Sequence, residues 1–475
     1  MQHAERPGAD GQADLVLRGG AVLALDDADT RGTAIAVRRG RVVELGDDAS
    51  VERVIGSDTR VVDLAGRAVM PGINDSHLHA CWLGAIWPTT FFGGGDPAQG
   101  AAEASVDPHT AGAAAPLLSS RAERRAAILR AGELIASLGI TSYTEPGIGP
   151  GEDRGETGCF GQDVFDAYFE LDAERALRAR VNVLALFGVL DGPSRLEEFG
   201  DGLNRLVRET AHPERLRLAG VKIFGDGIPP MLQAWTRHDY PDGSHGGLLV
   251  EGADPADRER RLRAMIRLAH DAGLQVGVHA TGDLTIDTVV DEVALAVART
   301  PADLRHYVIH GDLATPAAVA RLAEAGMGLN LQAGIAAATS GWLEGVLGAE
   351  VTRAAWPIAE ALRAGVLSLS SDAPILAPDW RHGVAAADAW LGTPASDAER
   401  VARMGALLRA YTVAPARQDL AEGWKGTLAP GMVADLVVLE RDPFDVSPAE
   451  LPEVGIDLTV VDGDIVYERA TAAIG

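Results

Sequence analysis

The sequence predicts an α/β fold in which a (β/α)8 (TIM) barrel lies beside a small β domain built from both ends of the chain. Residues 1–69 and 421–475 contain alternating and β-branched runs between turn residues, which is typical of strands. Residues 70–420 alternate apolar strand patterns with amphipathic helices, which favours a barrel. A doubly wound open sheet is the alternative. The lack of a Gly-rich phosphate loop at a strand–helix turn argues against it.

Eight strand patterns occur in the middle region, and most of them end at Gly, Pro or Asp. In order they are AVMPGINDSHLHA, GITSYTEPG, VNVLALFGVL, LAGVKIFGDG, LQVGVHATGD, HYVIHGDLA, GMGLNLQAG and GVLSLSSDAP. This is the number of parallel strands that a closed (β/α)8 barrel requires.

Capping signals and apolar periodicity indicate the helices between these strands. Ser120 and Glu123 have the spacing of a capping box, and Ser396 and Glu399 repeat it. Apolar residues between positions 262 and 269 follow the i, i+3, i+4, i+7 pattern of an amphipathic helix. The middle region therefore alternates strand and helix.

Composition narrows the classes of protein to which the chain could belong. The formal net charge is −26, which argues against nucleic acid and anionic membranes as partners. No apolar run reaches the roughly 18 residues of a membrane-spanning helix, and the first residues lack the apolar core of a signal peptide. The two cysteines, Cys81 and Cys159, give no disulfide framework. These features predict a cytoplasmic protein.

Residues that can bind a metal follow the predicted strands at their carboxyl ends, where a (β/α)8 barrel carries its active site. Imidazole and carboxylate are good ligands for Zn²⁺ and similar ions. Any single histidine could instead be a hydrogen-bonded core residue, but their shared position favours a metal site. In strand order these residues are His77, His79, Lys222, His279, His310 and Asp372.

Such a ligand set would support hydrolysis. A divalent metal lowers the pKa of bound water to about 7 and so supplies a hydroxide near neutral pH. Asp372 could take the proton of that water and return it to the leaving group, first as general base and then as general acid. Zn²⁺ is the predicted metal, with Mn, Fe or Co as alternatives.

Lys222 is unusual because the chain contains only two lysines, while almost every other basic position is arginine. It lies inside an apolar strand pattern, whereas Lys425 lies in a turn-rich stretch and is interpreted as incidental. A protonated lysine would repel metal cations. A carbamate formed from CO2 on Lys222 would be anionic and could bridge two cations, which arginine cannot do.

The ordered motifs PGINDSHLHA, GVKIFGDG, VHATGD, VIHGD, SSDAP and GTLAPGMVADLVVLERDPF resemble the amidohydrolase superfamily, in particular the YtcJ-like branch called amidohydrolase family 3. The resemblance implies a (β/α)8 barrel beside a β-sandwich made from both termini, with one or two divalent metals. It also implies a ligand arrangement. One metal would be held by His77, His79 and Asp372, a second by His279 and His310, and the carboxylated Lys222 would bridge the binuclear centre.

Contacts with the substrate are predicted at four further residues. Asp283 matches a position near the substrate or behind the ligands, although it could instead cap the following helix. Glu145 could contact the substrate or cap a turn, and Gln332 is similar. Trp82 is expected at the active-site mouth, where the segment 229–250 is long enough to act as a lid. Four other tryptophans share this expectation, namely Trp87, Trp235, Trp342 and Trp380. Their alternative role is to pack loops or a subunit interface.

The sequence therefore predicts a metal-dependent hydrolase that cleaves a C–N bond, of the amide type, in a small apolar or aromatic substrate. The alternatives are hydrolysis of a lactone, ester or cyclic amide, deamination on the same metal site, or a non-catalytic binding protein. A homodimer is expected from the resemblance alone. Asn74, VIHGD and GDGIPPM depart from the usual family motifs, so the substrate of a relative cannot be transferred to this chain.

Overall fold

The computed structural model describes residues 11–92, 116–153, 155 and 157–470, so residues 1–10 and 471–475 of the predicted β domain lie outside the description. Its strands, in chain order, are β1 Leu15–Leu23, β2 Arg31–Arg38, β3 Arg41–Gly46, β4 Arg60–Asp63, β5 Ala68–Pro71, β6 Ile73–Asp75, β7 Ile140–Ile148, β8 Arg180–Leu186, β9 Leu216–Phe224, β10 Gln275–Ala280, β11 Tyr307–His310, β12 Gly328–Leu331, β13 Leu367–Leu369, β14 Leu436–Leu439, β15 Ile456–Val461 and β16 Asp464–Glu468.

Strands β6 to β13 form a parallel sheet in chain order, each paired with the next. The first and last of them meet through a parallel bridge between Leu78 and Ala373. The N–H of His79 donates to the carbonyl of Ala373 at 2.9 Å, which strengthens the closure. These contacts confirm the predicted barrel, and each predicted strand pattern overlaps one of its strands.

The helices of the described residues lie mostly between the barrel strands. In chain order they are α1 Asp48–Glu52, α2 Ala80–Ile86, α3 Arg121–Ser137, α4 Gln162–Ala173, α5 Leu196–Arg205, α6 Pro255–Asp271, α7 Asp283–Arg299, α8 Pro316–Glu324, α9 Ala333–Ala354, α10 Ile358–Ala364, α11 Trp380–Leu391, α12 Asp397–Ala410 and α13 Val413–Gln418. None of them combines the length and apolar character needed to span a lipid bilayer.

The predicted caps form at two of these helices. At α3 the box is complete, because Ser120 accepts from the N–H of Glu123 and the Glu123 carboxylate accepts from the N–H of Ser120. At α12 Ser396 accepts from the N–H of Glu399, but the Glu399 carboxylate accepts from the N–H of Ala395 at 2.7 Å instead.

The remaining strands form a second, mixed sheet from both ends of the chain, in which β14 pairs with β5. Side chains of β14 alternate between two cores, as the period of two in a strand requires. Leu436 and Val438 pack in the core of this β domain, while Val437 and Leu439 pack in the core of the barrel. The alternation joins the two parts of the molecule and confirms the predicted domain built from both termini.

Lys425 is not an incidental turn residue, and that interpretation of the sequence is wrong. Its ammonium group is buried and donates to Asp419 at 2.7 Å and to Ser142 at 2.8 Å. The side-chain amide of Asn74 donates to the same carboxylate at 2.7 Å. The polar side chain at position 74, where the family pattern is apolar, therefore adds a hydrogen bond to the carboxylate of a buried ion pair.

Candidate metal centre

The structure brings the six predicted metal ligands together at the carboxyl end of the barrel. The imidazole of His77 is central, because its ring centroid lies 5.2 Å from those of both His79 and His310. The His279 and His310 centroids are 4.4 Å apart. Lys222 is fully buried, and its charge acts on both His77 and Asp372.

His77, His79 and Asp372 form the tightest part of this group. Nε2 of His77 lies 3.1 Å from Oδ1 of Asp372, and Nε2 of His79 lies 3.6 Å from the same oxygen. One ligand atom from each residue lies within 4.8 Å of the others, and all three residues are buried. Two imidazoles and one carboxylate around a common point form a donor set that suits a divalent cation.

Backbone geometry supports a functional role for two of these residues. Asp372 has φ of 58° and His310 has φ of 72°, both in the left-handed region. Such a conformation costs roughly 1–3 kcal/mol in a residue other than glycine and persists where the surrounding structure enforces it, commonly at functional sites. The N–H of Asp372 donates to the carbonyl of His77 at 2.9 Å, which ties the two segments together.

Unpartnered imidazole nitrogens indicate that the centre fits a cation. Nδ1 of His77 and Nε2 of His279 are buried and have no hydrogen-bond partner within the described residues. A buried polar atom without a partner is unfavourable, and a cation bound at these nitrogens would remove that cost. Burial lowers the pKa of His77 and His279 well below the usual value, and that of His310 to about 3. These rings are therefore neutral near pH 7, the form that binds metals.

Lys222 lies in the same buried region but has a different partner. Its ammonium nitrogen lies 4.6 Å from the centroid of the Phe224 ring, within the range of a cation–π contact. Burial lowers the pKa of Lys222 to about 8, while the carboxylate of Asp372 acts in the opposite direction.

Glu145 lies directly behind His79. Its Oε1 accepts from Nδ1 of His79 at 3.1 Å, and its Oε2 accepts from the N–H of Ala80 and the hydroxyl of Tyr168, both at 2.8 Å. Histidines that bind metals commonly donate their other ring nitrogen to a carboxylate in this way. Its contact with the substrate stays a prediction, since its observed partners are these three groups.

Gln332 has a similar place behind His310, because its Oε1 lies 2.8 Å from Nδ1 of that ring. Asp283 is the first residue of α7, and Gly282 is the N-cap. The carboxylate of Asp283 accepts from the backbone N–H and the guanidinium of Arg237, at 3.0 and 2.8 Å. The carboxylate thus connects the predicted lid segment 229–250 to α7. A contact with the substrate remains a prediction for Gln332 and for Asp283.

The aromatic residues expected at the mouth fall in different places. Trp82 packs against Phe91 and Phe160 with centroids 4.9 and 5.5 Å apart, and Phe160 lies 5.2 Å from His79. Trp380 is not at the mouth, so that expectation is wrong. It is buried, and its indole N–H donates to the carbonyl of Leu138, which precedes β7 at the opposite end of the barrel.

Sequence reasoning missed three buried aspartates close to the ligands. Asp226 accepts from the N–H groups of Trp235, Thr281 and Gly282 at 2.9–3.0 Å. Asp312 accepts from the indole N–H of Trp356 at 3.0 Å, and Asp75 accepts from the N–H of Ser371 at 3.1 Å. Burial raises the pKa of each of the three carboxyls to about 7. The sequence did offer a sign of these aspartates, because each lies within a few residues of a candidate ligand, in the motifs DSHLH, KIFGD and HGD.

Known proteins resemble the chain in sequence. The pattern of the Amidohydrolase family matches residues 92–467, a range that begins after His77 and His79. YtcJ of Bacillus subtilis (strain 168) is 28% identical over 263 residues, which cover 54% of this chain and 48% of that protein. N-substituted formamide deformylase of Arthrobacter pascens is 29% identical over 278 residues, covering 56% and 49%. The chain spans about half the length of these two relatives.

A solved structure shares the fold. A metal-dependent hydrolase from Pyrococcus furiosus matches with a TM-score of 0.67 at 20% sequence identity, covering 90% of this chain and 99% of that chain. At this identity the likeness supports the architecture, while the chemistry has to be argued from the site itself.

Proposed function

The chain belongs to the amidohydrolase family, and from that premise we propose that it is a metal-dependent hydrolase of C–N bonds of the amide type. The observation that carries this proposal is the convergence of His77, His79 and Asp372, whose ligand atoms lie within 4.8 Å of one another. Their position at the carboxyl end of the barrel is where enzymes of this architecture place their chemistry.

The donor set supports a binuclear centre. His77, His79 and Asp372 would hold one divalent cation, and His279 and His310 would hold the second. The carbamate of Lys222 would bridge them, because it would convert a buried cation among metal ligands into an anion. When bound, zinc or a similar metal lowers the pKa of a coordinated water and polarises the carbonyl of the substrate.

Asp372 would move the proton during the reaction. Oδ1 of Asp372 lies 3.1 Å from Nε2 of His77, and its backbone N–H donates to the carbonyl of His77, so the carboxylate would lie beside a water bound by the proposed metal. A carboxylate there can take a proton from the water and deliver it to the leaving nitrogen. Such proton transfers typically contribute 10²–10⁴-fold to the rate.

The substrate is proposed to be a small amide with an apolar or aromatic group. Trp82, Phe91 and Phe160 form an aromatic wall beside His79, which supports such a group. The name of the deformylase relative indicates that it acts on N-substituted formamides, which are amides. The free cysteines Cys81 and Cys159 support a reducing, cytoplasmic location.

The test is a screen of N-formyl and N-acyl aromatic amines with zinc-loaded protein and two matched variants. Asp372→Asn should lower the rate about 10²–10⁴-fold because it removes the proton carrier. Asp379→Asn is the control, since Asp379 caps α11 a few residues away and asparagine is an equally good cap. Release of free amine by the parent and the control, but not by Asp372→Asn, supports the proposal. Absence of amide cleavage, or full activity in Asp372→Asn, would refute it.

A further inference from the structure

The orientation of the Gln332 side chain is fixed by its neighbours. Its Nε2 lies 2.8 Å from Oδ1 of Asn330 and 2.9 Å from Oγ of Ser370, and all three residues are buried. An amide NH2 group can only donate, so both of its hydrogens are used there. Turning the amide over would set its oxygen against the oxygen of Asn330. The oxygen of Gln332 must therefore face His310.

The same chain of hydrogen bonds continues through the inside of the barrel. Ser370 donates its hydroxyl to Oδ1 of Asn330 at 2.6 Å, and Nδ2 of Asn330 donates to Oγ of Ser76 at 2.6 Å. Ser76 donates in turn to the carbonyl of Leu369 at 3.2 Å. Nδ2 of Asn330 also donates to the backbone carbonyl of Ser76 at 3.3 Å, and because a carbonyl can only accept, this bond fixes the orientation of Asn330 and with it the direction of the other bonds. Such a satisfied buried network is rigid.

This network determines which nitrogen of His310 carries the proton. Oε1 of Gln332 can only accept, so Nδ1 of His310 donates to it at 2.8 Å. The ring then keeps Nε2 unprotonated, with a lone pair available for a cation. His279, whose ring centroid lies 4.4 Å away, has its own Nε2 buried without a partner in the described part of the chain. The two rings can thus offer two lone pairs to one cation.

The partners behind the two halves of the centre differ in charge. His79 donates to the carboxylate of Glu145, whereas His310 donates to a neutral amide. A hydrogen bond to a charged acceptor is roughly twice as strong as a neutral one. A charged partner also makes the histidine a better ligand. The half that contains His310 should therefore hold its metal less tightly than the half that contains His79.

We propose that Gln332 is a positioning residue that holds His310 in the metal-binding tautomer through the chain Gln332–Asn330–Ser370–Ser76, and that it sets the affinity of the weaker of two metal positions. This inference rests on the two-metal centre proposed above, and it gives Gln332 a role other than contact with the substrate.

The test measures the two zinc dissociation constants by competition with a chromophoric chelator. Gln332→Met keeps the size of the side chain and removes the acceptor. It should weaken the weaker constant about 10–100-fold and leave the tighter one unchanged. Gln275→Met is the matched control, because Gln275 is also buried in the barrel, with an amide that donates to the carbonyls of Arg305 and Gln418. It should change neither constant. Melting temperatures without metal report purely structural losses.

The outcomes separate this inference from the function on which it rests. A parent with unequal constants, of which Gln332→Met weakens one, supports the inference. Equal constants in the parent, or parent-like constants in Gln332→Met, would overturn it and leave the hydrolase proposal standing. If the parent binds no zinc, both fail. If Gln332→Met does not fold, Ser370→Ala removes one of the two acceptors that orient the amide. It should then weaken the same constant by a smaller factor, and parent-like binding would refute the inference.

Discussion

Replacing Glu145 by glutamine would test how the tighter half of the metal centre is built. The carboxylate is buried and receives three hydrogen bonds, from the ring of His79, the N–H of Ala80 and the hydroxyl of Tyr168. Glutamine has the same shape but exchanges one oxygen for an NH2 group. Tyr168 can turn its hydroxyl to Tyr143, 3.1 Å away, but the N–H of Ala80 cannot turn. The amide oxygen should therefore stay with Ala80, and its NH2 group should face His79.

The loss can be estimated from this rearrangement. Because the NH2 group of the glutamine would donate to Nδ1 of His79, the ring would have to carry its own proton on Nε2. That nitrogen lies 3.6 Å from Oδ1 of Asp372, and a proton on it would block binding of the metal. Loss of such an outer partner typically costs 10–100-fold in metal affinity. This corresponds to about 1.4–2.8 kcal/mol.

The assay is the dissociation constant of the tightly held zinc, measured by chelator competition in the parent, Glu145→Gln and Glu292→Gln. Glu292 is the control because it is equally buried but pairs with Arg267 and Arg263 on the outer helices. Glu145→Gln should bind zinc more weakly, and Glu292→Gln should bind it as the parent does. Unchanged binding in Glu145→Gln, or an equal loss in both variants, would refute the reasoning.

Two further predictions concern stability. Lys425→Met should lower the free energy of unfolding by about 3–5 kcal/mol, because Asp419 would stay buried without its cation. Urea unfolding checks this, and a loss below about 1 kcal/mol, the value of an exposed pair, would contradict it. Burial lowers the pKa of His306 from 6.5 to about 3, so below pH 6.5 the unfolded chain binds a proton that the folded chain does not. Stability from this residue should therefore fall as pH drops, by about 1.4 kcal/mol per unit down to pH 3. His306→Asn, which keeps an acceptor for the N–H of Val276, should show a shallower acid slope in unfolding measured from pH 7 to 4, and an unchanged slope would be evidence against this.

Much of the fold could be predicted because its signals are local. Strand patterns, the cap at Ser120 and the alternation of strand with helix depend on neighbouring residues, and they placed the barrel strands correctly. The six candidate ligands could be picked out because each lies at or just beyond the carboxyl end of a strand, and a closed barrel gathers such ends. Local pattern and global topology agree in these parts of the chain.

The parts that could not be predicted depend on contacts between distant positions. Nothing near Lys425 in sequence reveals that Ser142, which is distant in sequence, accepts a hydrogen bond from its ammonium group. The position of Trp380 at the opposite end of the barrel depends on a contact with Leu138. The partner of His310 was also hidden, since Gln332 lies just after the next strand, β12, and its orientation depends on a network that a single sequence does not show.

Elemental analysis of metal per chain tests the central claim most directly. The protein would be produced with bicarbonate and added zinc, beside a Lys222→Ala variant. A binuclear centre bridged by Lys222 predicts about two zinc ions per chain in the parent and a clear loss in the variant. One metal per chain that the variant leaves unaffected would contradict the bridge, and a parent without metal would contradict the metal-dependent hydrolase itself.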